Sequence, residues 1–506
     1  MTSPVEPLVE TDAGTVRGCW QDGVQAFRGI PYGEPTAAGR FLPPVPARSW
    51  AGIRDATSFG HYCPQAVAGP QWCDPRFGAY MTGGRAQELI DARIVAGEDC
   101  LVVNVLTPRA AESGRGRPVL VYVHGGGFYG MCGSIPTLAD RFVREQDVVL
   151  VTVNHRLNAF GFLYLGEISE QYATGNIGLL DLELALRWVR TNIALFGGDP
   201  DNVTVFGESG GGSKILSLMA MDTTSGLFGR AIVQSTSWPE PLPRHAATAT
   251  AEEFLQRVGV GSDLRGLNEI PTQAVVDAVA AIGRRFRPVL DGQTITSPPW
   301  NTTAPPTAQH VSLIIGNCQH EYAGLIADAA LFHLQWPELI PALATHTALP
   351  PPMLQPVVDV YRASRPSDSP SDIFVAIMSD RLREIGLRVA EQQSAHQGNV
   401  YVYNTTYRPP MDDANLGAFH GLESPLALRL VLHPDADAVS RQISDAWVSF
   451  ARTGNPSHTL IPAWPTYSSD RATMTFDREP QLAYDPSPAE RKVMSQLPHL
   501  GAATPG

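Results

Sequence analysis

Val203-Thr204-Val205-Phe206-Gly207-Glu208-Ser209-Gly210-Gly211-Gly212-Ser213 is the stretch from which the rest of the chain can be read. Its first four residues are β-branched or aromatic and read as a buried strand. Gly207 to Gly211 fits Gly-x-Ser-x-Gly, and Lys214-Ile215-Leu216-Ser217-Leu218-Met219 continues as a helical run. Strand, sharp turn, serine, helix is the context in which this motif presents a nucleophile. The turn is strained, and residues two before and two after the serine lie so close to it that only small side chains fit. The bland alternative is a glycine-rich connection carrying an ordinary hydroxyl. The flanking strand and helix, and the partners below, argue against it.

Upstream, Val119-Leu120-Val121-Tyr122-Val123 runs into His124-Gly125-Gly126-Gly127-Phe128, and Val148 to Val153 runs into Asn154-His155-Arg156. Both runs are continuously apolar, as strands covered on both faces of a parallel sheet are. Thr137 to Gln146 reads as a helical crossover between them. A long helix follows over about 176–196, with Leu179, Leu182, Leu186, Val189 and Ile193 at helical spacing and Gly197-Gly198-Asp199-Pro200 as its stop. Downstream strands are expected at Ala231–Ser235, Val311–Gly316 and Val400–Asn404. This alternation predicts an α/β fold with a mostly parallel central sheet flanked by helices. Helical insertions at about 248–285 and 323–397 should lie over the serine. Residues 14–44 read as short antiparallel strands, 64–96 as loops with a short helix near 86–94, and Pro350-Pro351-Pro352 and Arg365–Pro370 as loops. With no internal repeat and no flexible linker, one domain is expected over residues 1–506.

The chain has 506 residues, with 17% charged and 43% hydrophobic side chains, which is the composition of a folded globular protein. A net charge of −13 disfavours nucleic acid and anionic membrane surfaces as partners. No run is long and apolar enough to span a bilayer. The first residues lack the basic and apolar segments of a secretion signal, so a cytoplasmic location is expected. The sequons at Asn202, Asn301 and Asn404 then have no role. Six cysteines, none in a Cys-x-x-Cys pair, argue against a disulfide scaffold or a structural zinc site. No metal or cofactor is expected. The partner is a small-molecule substrate, and the oligomeric state is not legible.

A serine hydroxyl needs a base, the base needs an orienting carboxylate, and the developing oxyanion needs aimed donors. Gly126 and Gly127, curling directly after a strand, and the N–H of Gly210 are the expected donors. The base is expected last in chain order. Among thirteen histidines, His420 has the best setting, on the loop Gly417–Glu423 after the 400–404 strand. The acid is expected after the 311–316 strand, at Glu321, with His320 beside it as a spectator. Trp72, Phe77, Phe128, Trp238, Phe286, Phe332 and Trp336 are the candidates for pocket walls.

Taken together these residues resemble the type-B carboxylesterase/cholinesterase family of α/β-hydrolases, and most of all its bacterial para-nitrobenzyl esterase-like members. Further blocks carry the resemblance: Phe27–Tyr32, Cys63-Pro64-Gln65, Glu98–Leu101, Asn192–Pro200, Phe286–Gly292 and Trp447–Pro456. It implies an α/β-hydrolase fold and a serine carboxylesterase working through an acyl-enzyme. It also implies Ser209 as nucleophile, His420 as general base and acid, Glu321 as orienting acid, and Gly126, Gly127 and Gly210 as the oxyanion hole. It suggests Glu208 as a pocket-facing residue and Ser235 as a support on the Glu321 side. Amidase, carbamate hydrolase, thioesterase or lactonase chemistry would use the same triad. A non-catalytic binding homologue is the remaining alternative, disfavoured by the complete triad.

Three positions depart from the family pattern. Gly210 stands where alanine is usual and implies a looser elbow. Tyr322 follows the acid in place of glycine, and His155 replaces tyrosine. Cys63 and Cys100 match the family's first disulfide pair, though a cytosolic location would leave them reduced. Arg40 and Glu98 match a structural ion pair.

Overall fold

The apolar runs between residues 119 and 404 become the middle of one large sheet. The computed structural model describes residues 5–66, 77–108, 116–237, 240–411 and 416–498. Its strands, in chain order, are β1 Leu8–Glu10, β2 Thr15–Arg17, β3 Cys19–Gln21, β4 Val24–Pro31, β5 Ile53–Asp55, β6 Val102–Pro108 and β7 Arg117–Val123. They continue with β8 Val149–Val153, β9 Gly198–Glu208, β10 Arg230–Gln234, β11 Ser312–Cys318, β12 Val400–Thr405, β13 Ala472–Phe476 and β14 Gln481–Tyr484. Strands β1, β2 and β5 form a small sheet, and the others form an 11-stranded sheet in the order β14-β13-β12-β11-β10-β9-β7-β8-β6-β4-β3.

From β8 through β7, β9, β10, β11 and β12 to β13, every neighbouring pair is parallel. The two edges are antiparallel, β3, β4 and β6 on one side and β14 on the other. Parallel neighbours need helical crossovers, which cover both faces and bury β7 and β8 along their whole length. The chain runs from β7 outward to β8, then crosses back to lay β9 on the other side of β7. The connections leaving β7 and β9 therefore diverge, and their carboxyl ends are where a parallel sheet of this kind places a binding crevice.

The helix expected over 176–196 runs Ile177–Asn192, and its end tightens into a 3-10 turn, Ile193–Phe196. The insertions hold the helices Arg244–Val258 and Thr272–Ile282, then Trp336–Thr347, Pro351–Ser364 and Pro370–Gln393. The triple proline expected as a loop instead opens the helix Pro351–Ser364. Proline is tolerated in a first turn, where its missing N–H would have had no partner. Strands β6, β13 and β14 had no counterpart in the sequence reading.

Arg40 and Glu98 form the expected buried pair, with Arg40 Nε 2.7 Å from Glu98 Oε2. Cys63 and Cys100 are both buried and unbridged. Among the described residues no helix is long and apolar enough to cross a membrane.

Candidate active site

Strand β9 ends at Glu208, and the helix Gly210–Leu218 begins two residues later. Ser209 alone makes the turn, at φ 56° and ψ −124°, a region that a residue with a Cβ rarely occupies. Its N–H donates to the Gln234 carbonyl at 2.8 Å, so the neighbouring strand β10 supports the strained residue. A side chain at Gly211 would collide with the Val123 carbonyl at the end of β7. The motif glycine is thus required by the close approach of helix and strand.

The loop leaving β7 carries Gly126 and Gly127 at φ 76° and 61°. The Gly127 backbone lies directly against Gly210. A Cβ built on Gly210 would sit 2.5 Å from the Gly127 nitrogen. The expectation of a looser elbow is therefore overturned: the space of an alanine methyl is filled by the neighbouring loop. Two of the expected donor residues, Gly127 and Gly210, are thus in contact, with Gly126 next to them in the chain.

The acid and base loops leave adjacent parallel strands, β11 and β12. They are stitched together by a bridge between His320 and Phe419 and by the His320 N–H donating to the Ala418 carbonyl at 2.9 Å. This brings Glu321 Oε2 to 2.5 Å from His420 Nδ1. The other Glu321 oxygen accepts from the Cys318 N–H at 2.6 Å. His420 Nε2 lies 3.1 Å from Glu208 Oε1, an ion-pair contact without hydrogen-bond alignment, and that oxygen is otherwise without a partner. Among the described residues the Ser209 hydroxyl makes no hydrogen bond.

His320, expected to be a spectator, ties the acid and base loops together. Its Nδ1 accepts from the Ala418 N–H at 3.1 Å, and Arg408 Nη2 stands 2.9 Å from its Nε2. Burial, and then the Arg408 charge, lower its pKa to about 4. Tyr322, the departure after the acid, donates its N–H to Ser379 Oγ at 3.0 Å, and its ring packs on Phe374. The acid loop is thereby fastened to the insertion helix Pro370–Gln393.

Ser235 reaches a different carboxylate from the one expected. Its hydroxyl donates to Glu423 Oε1 and not to Glu321. Glu423 also accepts from Cys318 Sγ at 2.7 Å and from the Tyr403 hydroxyl at 3.3 Å. The sequence reading gave Glu423 no role. The available signal was an acidic residue three positions after the candidate base, at the start of the short helix Glu423–Ala427.

Three buried carboxylates, Glu208, Glu321 and Glu423, thus surround one imidazole. Burial raises the pKa of Glu208 to about 8, although His420 opposes the shift. Burial and then Glu321 push Glu423 upward. Burial opposes charge on His420, but Glu208 and Glu321 outweigh it and raise its pKa to about 10. The titration belongs to the cluster, not to any one member.

Cys318, Glu321 and Glu423 are the only group among the described residues whose possible metal-ligand atoms converge, within 4.8 Å. Hydrogen bonds within the protein and to His420 engage all three.

Of the wall candidates, Phe77 packs on Phe419 beside the base, and Phe128 follows the oxyanion loop. Phe286 is a core residue packed on Phe254 and not a wall. Phe332 borders a polar cleft with His320 and Arg365. Trp336 lies at the surface over Arg362. Trp72 and Trp238 fall outside the described residues.

Comparison with known proteins adds three findings. The sequence model of the carboxylesterase family matches residues 5–494. The para-nitrobenzyl esterase of Bacillus subtilis (strain 168) is 32% identical over 512 residues, spanning 96% of this chain and 98% of that protein. A solved carboxylesterase of Geobacillus stearothermophilus superposes with a TM-score of 0.83 at 33% identity, covering 96% of this chain and 99% of its own.

Proposed function

The chain belongs to the carboxylesterase family and is a carboxylic ester hydrolase, and we propose that it works through a covalent acyl-enzyme on Ser209. What carries this reading is the imidazole of His420, bracketed by Glu321 Oε2 at 2.5 Å and, at 3.1 Å, by Oε1 of Glu208, the residue directly before the strained serine.

Above the raised pKa of His420 the imidazole is neutral, and with Nδ1–H donated to Glu321 the lone pair of Nε2 can take a proton. As substrate fills the crevice, the Ser209 hydroxyl turns to Nε2, a contact often long before substrate binds. Ser209 Oγ bonds to the ester carbonyl carbon while its proton passes to Nε2. The carbonyl π pair moves onto oxygen, which is met by the N–H groups of Gly126, Gly127 and Gly210. One such donor contributes roughly 3 kcal/mol to the transition state in a comparable enzyme. The unpartnered Glu208 oxygen faces the imidazolium that forms. The C–O bond to the alcohol then breaks, and Nε2 returns the proton to the leaving oxygen. Water repeats the sequence and frees the acid. On this reading residues 1–506 act as one unit whose insertions wall the site, and the substrates are small esters, aryl esters among them.

The test is hydrolysis of a para-nitrophenyl ester series, acetate through decanoate, by the wild type and Ser209→Ala in parallel. Turnover that disappears in the variant supports the reading, and the chain-length optimum sizes the acyl pocket. Turnover that persists in the folded variant overturns it.

A further inference from the structure

Lys214 lies one turn into the helix that begins after Ser209, and it is completely buried. Of the 37 basic side chains, only Lys214 and Lys492 are lysines. A chain that otherwise uses arginine thus places a compact ammonium directly behind its elbow. Burying it is costly unless its donors are satisfied. Two of its three donors are engaged: Nζ donates to the His124 carbonyl at 2.9 Å and to the Gly125 carbonyl at 3.4 Å. The ring of Phe128 lies 5.9 Å away. Burial lowers the Lys214 pKa to about 7, against the opposing pull of the Glu208 charge.

The two acceptors belong to the loop that carries the oxyanion donors. The carbonyl of Gly125 and the N–H of Gly126 are opposite ends of one peptide plane. In a trans peptide they point in opposite directions. Lys214 Nζ, donating to this carbonyl beside His124 Nδ1 at 3.1 Å, therefore helps to aim the Gly126 N–H forward, and by polarising the peptide it strengthens that donor. The far end of the loop has other anchors. Gln65 pairs with both backbone groups of Met131, and the Asn158 N–H donates to the Phe128 carbonyl at 2.7 Å. The near end, His124 and Gly125, receives Lys214. Gly210 completes the arrangement, because its missing methyl is what lets Gly127 close onto the helix.

We propose that Lys214 is a positioning residue for ester hydrolysis, fixing the Gly125–Gly126 peptide so that the oxyanion hole is aimed before substrate arrives. The role rests on the acyl-enzyme reading above. It predicts a defect confined to the transition state, because the aim of these N–H groups matters most when the carbonyl oxygen becomes an anion.

The experiment compares the wild type with Lys214→Met, which keeps length and loses the donors, and with Gly210→Ala, which pushes the same loop without changing charge. Rates are expressed per serine titrated to completion with a fluorophosphonate, so a partly folded preparation still gives a true kcat. Both variants should lose roughly 10- to 100-fold in kcat, with KM within about twofold. Affinity for an alkyl trifluoromethyl ketone, which forms a tetrahedral oxyanion on the serine, should fall in parallel with kcat/KM. Lys214→Met with wild-type kcat per titrated serine, or with lost turnover but unchanged ketone affinity, overturns the proposal. A wild type that neither hydrolyses esters nor takes the label at Ser209 would instead refute the acyl-enzyme reading itself.

Discussion

The elbow side of the site and the acid–base side are built on different principles. Ser209, Gly210, Gly126 and Gly127 act through backbone: a strained φ, two glycines in the left-handed region, and a helix pressed against a strand. Glu321, His420, Glu208 and Glu423 act through side-chain charge inside a buried cluster. The first side is spelled in two short stretches of chain. The second is assembled from residues 99 apart that meet only because β11 and β12 are neighbours. Backbone devices fail when the local geometry is disturbed, whereas a charge cluster can be retuned one proton at a time.

The largest effect should come from the elbow side. Ser209→Ala is expected to lower kcat by about 10⁴-fold or more, measured with para-nitrophenyl butyrate on protein shown to be folded by circular dichroism. A loss below tenfold would mean that another group attacks the ester. On the other side, Glu321→Gln should cost about 10³- to 10⁴-fold in kcat. With its oxygen on the Cys318 N–H, the amide turns its NH2 to Nδ1 and favours the wrong tautomer, and it carries no charge to stabilise the imidazolium. A variant as fast as the wild type would remove Glu321 from the triad and weaken the contrast drawn above.

Glu208→Gln sharpens the comparison through pH. Burial opposes the imidazolium, while Glu208 and Glu321 favour it strongly enough to raise the His420 pKa. The base works only when neutral, so activity is lost as pH falls through that pKa. In the wild type the acid limb of kcat/KM should therefore lie above the ordinary imidazole value of 6.5. Removing the Glu208 charge lowers the pKa and should carry the limb to lower pH. A limb that stays in place would show that Glu208 does not set the titration. Ser235→Ala should have the smallest effect, less than about tenfold in kcat, because its hydroxyl acts on Glu423, one carboxylate removed from the triad acid. Unchanged turnover would leave Ser235 a purely structural residue.

How much of the site could be read in advance follows from the same division. The elbow motif, the glycine loop and the parallel strands were legible because each is local, and its residue types are dictated by sterics at one turn or by burial on two faces. Ser235 was placed on the correct side of the site but matched to the wrong carboxylate, and Glu423 was passed over. Which of two buried acids a hydroxyl meets depends on how two loops fold over each other. The consequence of Gly210 was read with the wrong sign, since a missing methyl suggests slack until the neighbouring loop is seen to occupy the space. Lys214 was only one letter in a helical run until its ammonium was found against the His124 and Gly125 carbonyls.

By itself the sequence determined the strained serine turn, the strands on either side of it, and the residue types expected to attack, to relay a proton and to receive an oxyanion. Those choices are set by short-range sterics and intrinsic chemistry. Tertiary structure alone decided how Glu208, Glu321 and Glu423 share the field of one histidine, and which side chain stands behind the oxyanion loop. Charge coupling in a buried site depends on distance and desolvation, and neither exists until the strands are in order.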